Sequence, residues 1–148
     1  MEKQKKPTVA VDLDGVLAQY DGKWRGVESI GEPIPGAVEF TQELSKNADV
    51  IIWTTRTNPE INYEFALPDL RTLVVNWLNL HGFAYRSVHC GGGKPLAAAY
   101  VDDRAVACEP QQAGAFAFEV ALMRISSLLP AQAGTAKEQA PPSQKRSS

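Results

Sequence analysis

Apolar and polar positions along this chain switch between two periods. Thr8-Val9-Ala10-Val11 is a short apolar run of largely β-branched residues that stops at Asp12-Leu13-Asp14-Gly15, which predicts a buried strand with charged groups at its tip. Asp49-Val50-Ile51-Ile52-Trp53 repeats the design and stops at Thr54-Thr55-Arg56. Residues 83–89 predict a third strand, and residues 97–101 lead as a fourth into Asp102-Asp103-Arg104. Between the runs the period becomes helical. Ala37, Val38, Phe40 and Leu44 share one face of residues 36–47, leaving Glu39, Gln42, Glu43 and Lys46 on the other. Leu70, Leu73, Val74, Trp77, Leu78 and Leu80 predict a second helix, with Asp69 as N-cap or first-turn acid and Gly82 as its stop. Residues 18–35 hold an Asp21-Gly22 turn and the breakers Gly31, Pro33 and Pro35, and read as a short flap beside the active end of the first strand. Residues 111–129 predict a closing helix, ambiguous around Gly114.

Length sets the number of cores. With 148 residues, 44% of them hydrophobic, the chain supports one domain, expected over residues 8–129. Residues 1–7 are expected to be flexible, and residues 130–148, rich in Ala, Gln, Ser, Pro and Lys, to be a disordered tail. A net charge of −2 does not favour nucleic acid as a partner. Cys90 and Cys108 lack the C-x-x-C spacing of a zinc or redox site. No apolar stretch reaches the roughly 20 residues of a membrane span, and none near the start suits a signal peptide. A soluble, cytoplasmic protein with no membrane partner is therefore expected.

The strand tips carry the candidate chemistry. Asp12 and Asp14 flank one bend and repel each other unless a cation or a shared proton sits between them, and hard oxygen ligands of this type suit magnesium. An EF-hand loop does not fit: its twelfth position, counted from Asp12, is Lys23, where a Glu is needed. Gly91-Gly92-Gly93-Lys94-Pro95 is not a Walker loop, because Pro95 occupies the place of the required hydroxyl. Thr54 and Thr55 place small hydroxyls past a strand's carboxyl end, where α/β proteins bind ligands. Arg56 has two readings, a grip on substrate phosphate or a pair with a surface carboxylate. Trp24 is read as packing on its own domain, with substrate contact as the alternative.

Asp12-Leu13-Asp14-Gly15-Val16 resembles the first motif of the haloacid dehalogenase (HAD) superfamily of phosphohydrolases, and three further signals follow in that superfamily's order: Thr54, Lys94 of Lys94-Pro95, and Asp102-Asp103. The resemblance implies an α/β fold, the HAD Rossmann-like three-layer sandwich, with a mostly parallel sheet, helices on both faces, a short flap and no separate cap domain. It implies that Asp12 is the nucleophile, forming an aspartyl-phosphate, and Asp14 the general acid and base. Mg2+ would be held by Asp12, the backbone carbonyl of Asp14, and Asp102 or Asp103. Thr54 and Lys94 would hold the phosphoryl oxygens, Lys94 also keeping Asp12 ionised, and Thr55 and Arg56 would contact substrate. Asp14 argues for phosphoryl transfer over dehalogenation. The expected partner is a phosphorylated substrate, small or macromolecular: a nucleotide, a sugar phosphate or a macromolecular phosphate end. A neighbouring subunit could supply a lid. The reading from another class is a non-catalytic phosphate-binding or regulatory module on the same fold.

Overall fold

A computed structural model describes residues 5–131; residues 1–4 and 132–148, and with them most of the expected flexible start and tail, lie outside the described residues. Four parallel strands, β1 (Thr8–Val11), β2 (Asp49–Ile52), β3 (Ser87–Val88) and β4 (Ala99–Val101), form one sheet in the order β3-β2-β1-β4. The class is the expected one, a Rossmann-like α/β architecture.

Register explains which residues make the core. Val9 pairs with Val50, and Val11 with Ile52 and Val101, while Ile52 pairs with Val88, so these side chains share one face of the pleated sheet. That face carries the main apolar cluster, joined by Ala37 of α1 (Ala37–Leu44) and by Val74, Trp77 and Leu78 of α2 (Leu67–His81). Leu70, Val74, Trp77 and Leu78 are the buried stripe of α2, spaced as one helical face requires. α2 begins two residues ahead of Asp69, with Pro68 in the first turn, where a fixed φ and a missing N–H cost nothing. It ends at Gly82, whose φ of +79° is the left-handed cap that only glycine adopts without strain.

Strand β3 is shorter than the expected residues 83–89. Phe83 is buried but stacks on Trp77, with ring centroids 5.0 Å apart, instead of joining the ladder. Arg86 N–H donates to Val50 O (2.7 Å) and His89 N–H to Ile52 O (2.8 Å), so pairing continues one residue past each end of the strand. The same overrun occurs at the other carboxyl ends: Trp53 N–H donates to Val11 O and Asp12 N–H to Val101 O, each at 2.9 Å. Asp12, Trp53 and the residues after Val101 are thereby held at one edge of the sheet.

Beyond Ala105 the contacts within the chain fall into a second compact unit, beginning at Val106, which divides the single block expected over residues 8–129. It contains α3 (Pro110–Ala113) and α4 (Phe116–Leu128), interrupted at Gly114, where the ambiguity in the closing helix lay. Among the described residues no helix is long and apolar enough to cross a membrane.

Leu78 is fully buried in the core and Leu80, two residues on, is 78% exposed. Leu78→Ala should cost about 2–5 kcal/mol of stability, and Leu80→Ala no more than about 0.5 kcal/mol, both read from urea unfolding.

Candidate functional site

Strand ends β1 and β4 bring three carboxylates together. Asp12, Asp102 and Asp103 each present an oxygen within 4.8 Å of the others. Asp12 also accepts a hydrogen bond on Oδ1 from Leu13 N–H at 2.8 Å. Burial, opposed by that amide and reinforced by the charges of Asp102, Asp103 and Asp14, pushes the Asp12 carboxyl up to about 7. Burial, followed by a hydrogen bond with Asp102, raises Asp103 too. Among the described residues no ion pair reaches any of the three. Gly15 makes the cluster sterically possible. Its φ is +86°, and a β-carbon there would stand 2.5 Å from Asp103 Oδ2.

Asp14 faces a different partner. Arg56 Nε donates to its Oδ2 at 2.8 Å and Nη2 to its Oδ1 at 2.9 Å, with both side chains largely out of solvent. The remaining guanidinium hydrogens go to three flap carbonyls: Nη1 to Gly26 O (3.2 Å) and Val27 O (2.9 Å), and Nη2 to Ser29 O (2.8 Å). All five donors of Arg56 are thus engaged, and Trp24 lies against its guanidinium, 4.6 Å from Cζ to ring centroid. This corrects the assignment of Arg56 as a substrate-binding residue: it is an ion-pair partner, and its carboxylate is the partly buried Asp14 instead of one on the surface. Likewise the Asp14 side chain stands outside the carboxylate cluster, turned toward Arg56. Arg25 pairs with Asp21, bidentate at 2.7 and 2.9 Å, within an exposed turn.

Thr54 is buried at the end of β2 and caps the short 3-10 turn Thr55–Thr57, its Oγ1 accepting Arg56 N–H at 3.2 Å. The hydroxyl hydrogen is left to donate elsewhere. Thr57, also buried, ties this turn to the end of β3 by donating to His89 O at 2.8 Å. Asp12, Asp14, Thr54, Thr55, Lys94 and Asp102 all line one open cavity of about 500 Å³. Lys94 reaches it without reaching Asp12: its ammonium rests over the Tyr100 ring, 4.3 Å from the centroid. The structure therefore gives Asp12 no neighbouring ammonium of the kind expected to keep it ionised. Tyr20, Trp53 and Arg104 line the same cavity and escaped the sequence reading. The signal for Trp53 was its place directly before Thr54, where a strand-end side chain meets the ligand edge.

Removing a partner from a buried ion pair strands its charge. Arg56→Ala should cost about 3–5 kcal/mol and expose residues 20–30 to protease, whereas Arg86→Ala, which breaks an exposed pair with Asp49, should cost less than about 1 kcal/mol; urea unfolding and limited proteolysis read both. Asp12 titrates at about 7 folded against an ordinary 3.8, so the folded state binds the proton more tightly. In chelator-treated protein the contribution of Asp12 to stability should be full below pH 4 and be lost as pH rises through about 7. Asp12→Asn should flatten that fall in thermal unfolding curves.

No family model matches the chain, and no curated protein matches it. Among solved structures, a conserved protein from Bacteroides thetaiotaomicron is 26% identical, the match covering 78% of this chain and 92% of that one with a TM-score of 0.46. A crystal structure from Vibrio cholerae is 22% identical, covering 80% of this chain and 98% of that one, also with a TM-score of 0.46.

Proposed function

We propose that the chain is a magnesium-dependent phosphomonoester hydrolase of HAD type. The observation that carries this reading is the Asp12, Asp102 and Asp103 cluster at the carboxyl edge of adjacent parallel strands, of which Asp12 and Asp102 line one cavity with Thr54. Three clustered carboxylates that no ion pair reaches among the described residues repel one another, Arg104 offsetting only part of this at Asp103, and burial of Asp12 adds to the cost. Such a hard, anionic oxygen set fits Mg2+. Asp12, Asp102 or Asp103, and the backbone carbonyl of Asp14 would hold it. When bound, Mg2+ would neutralise the clustered charge and polarise the phosphoryl oxygens.

The chain's own groups account for the remaining chemistry. An Asp12 oxygen attacks phosphorus as the ester P–O bond breaks, leaving an aspartyl-phosphate and an alkoxide. Asp14 carries, on an oxygen released from Arg56, the proton it took from water in the preceding turnover. It gives that proton to the alkoxide and releases the alcohol, then takes another from the water whose oxygen attacks phosphorus and displaces the Asp12 carboxylate. Phosphate leaves and Asp12 is regenerated. To handle these protons Asp14 must release an oxygen from Arg56, so the guanidinium, anchored on the flap carbonyls, sets where Asp14 points. The free hydrogen of Thr54 and the ammonium of Lys94 supply donors for the equatorial oxygens, Lys94 after leaving Tyr100.

Hydrolysis of para-nitrophenyl phosphate and a panel of phosphomonoesters, with Mg2+ and with chelator, tests the reading. Turnover should require Mg2+, fall to background in Asp12→Asn, and fall steeply in Asp14→Asn with folding intact. Turnover that persists in Asp12→Asn would overturn the mechanism.

A further inference from the structure

The substrate of this site has a planar ring, and Trp24 is where the ring binds: we propose that the chain hydrolyses a nucleoside monophosphate whose base stacks on the Trp24 indole. The inference rests on the phosphatase reading above and names its substrate class. Trp24 belongs to the flap, is 50% exposed, and lines the same cavity as Asp12. A single exposed aromatic is ordinary on a protein surface, and Tyr63 and Phe116 are more exposed than Trp24; what sets Trp24 apart is its place in the lining of the cavity that holds Asp12. The indole is also fixed in place. Arg56, buried and fully hydrogen-bonded, lies over the ring and holds the flap just after it through the carbonyls of Gly26, Val27 and Ser29, while pairing with Asp14. An indole immobilised before the ligand arrives binds a ring with little loss of its own conformational freedom.

Cavity size and charge narrow the class. About 500 Å³ lies within the range that holds a drug-sized ligand, and bare phosphate or a phosphorylated triose would leave most of it unfilled. Tyr20 and Trp53 extend the aromatic lining, Trp53 set edge-on against Tyr100 with centroids 5.7 Å apart. Aromatic faces accept any base, because every base has a π-face. Lys94 and Arg104 are the cations that line the cavity, against Asp12, Asp14 and Asp102. With the Arg56 donors spent, that balance suits one phosphate better than a di- or triphosphate. An aryl phosphate shares the ring but not the sugar, and fills less of the space.

The test compares adenosine 5′-monophosphate, ribose 5-phosphate and phenyl phosphate on the full chain with Mg2+, in the wild type, Trp24→Ala and Trp24→Phe. The wild-type kcat/KM for the nucleotide should exceed that for ribose 5-phosphate by about ten- to a hundredfold, carried mainly in KM, and should exceed that for phenyl phosphate. In Trp24→Ala the ratio of nucleotide to ribose 5-phosphate should fall toward one, and Trp24→Phe should keep most of it. Equal wild-type values, a preference for phenyl phosphate, or a preference that survives Trp24→Ala would overturn the inference, the last leaving the indole as a cover for Arg56. If none of the three is hydrolysed, the phosphatase reading fails and the hydrolysis half of the inference with it, and calorimetric titration of the same compounds decides the base site: nucleotide binding at least tenfold tighter than ribose 5-phosphate and lost in Trp24→Ala supports it, and equal or absent binding overturns it.

Discussion

One buried guanidinium organises the working end of this molecule. Arg56 stands just past β2, yet its partners are Asp14 past β1 and three carbonyls of the flap. A flap without regular secondary structure has backbone groups that need partners wherever it is buried, and Arg56 supplies three of them at once. The charge is repaid by Asp14 in bidentate geometry, the arrangement in which an ion pair best offsets its desolvation. Trp77 makes a second tie, donating from its indole nitrogen to Gly31 O at 3.0 Å, so the flap is pinned to the core helix as well. Loop conformation here is set by side chains arriving from regular elements.

That constraint divides labour between two aspartates separated by one residue. On an extended strand they would share a face, but the bend at Gly15 sends them to different surroundings. Asp14 is neutralised from within the protein. Asp12 has Asp102 and Asp103 as its charged neighbours and one backbone amide, Leu13 N–H, and burial raises its carboxyl to about 7. One acid of the pair is therefore internally balanced and the other is left in a setting that favours a proton or an external cation. The asymmetry is what a site needs if one carboxylate must be held in position and its neighbour must meet a metal and a phosphoryl group.

How much of this was legible follows from the range of the interactions. That Asp12, Thr54, Lys94 and Asp102 line one cavity was legible because each follows a short apolar run or a glycine break, and a parallel sheet collects such tips at one edge. The helices were found because periodicity is local: α2 differs from its expected span only at the start, where Pro68 opens it. Arg56 was left with two readings because its partner, Asp14, lies 42 residues away in sequence and its other acceptors belong to a segment without periodicity. Lys94 was located but its direction was not, since resting on Tyr100 requires knowing that β4 lies beside β1. The boundary after Ala105 had no marker either, because no breaker cluster stands there.

The same reasoning shows why the flap can do part of what a separate cap would do. A cap closes a site with a folded lobe that carries its own core. Here the segment between β1 and α1 is too short for one, and its apolar residues are spent inward: Val27 is buried and Ile30 and Ile34 pack against the main cluster. What remains outward is Tyr20 and Trp24 toward the cavity and the Asp21–Arg25 pair toward solvent. The flap thus has one face committed to the core and one to the cavity, joined through Arg56 to Asp14. The position of the flap and the orientation of Asp14 are therefore coupled through one guanidinium, which holds both.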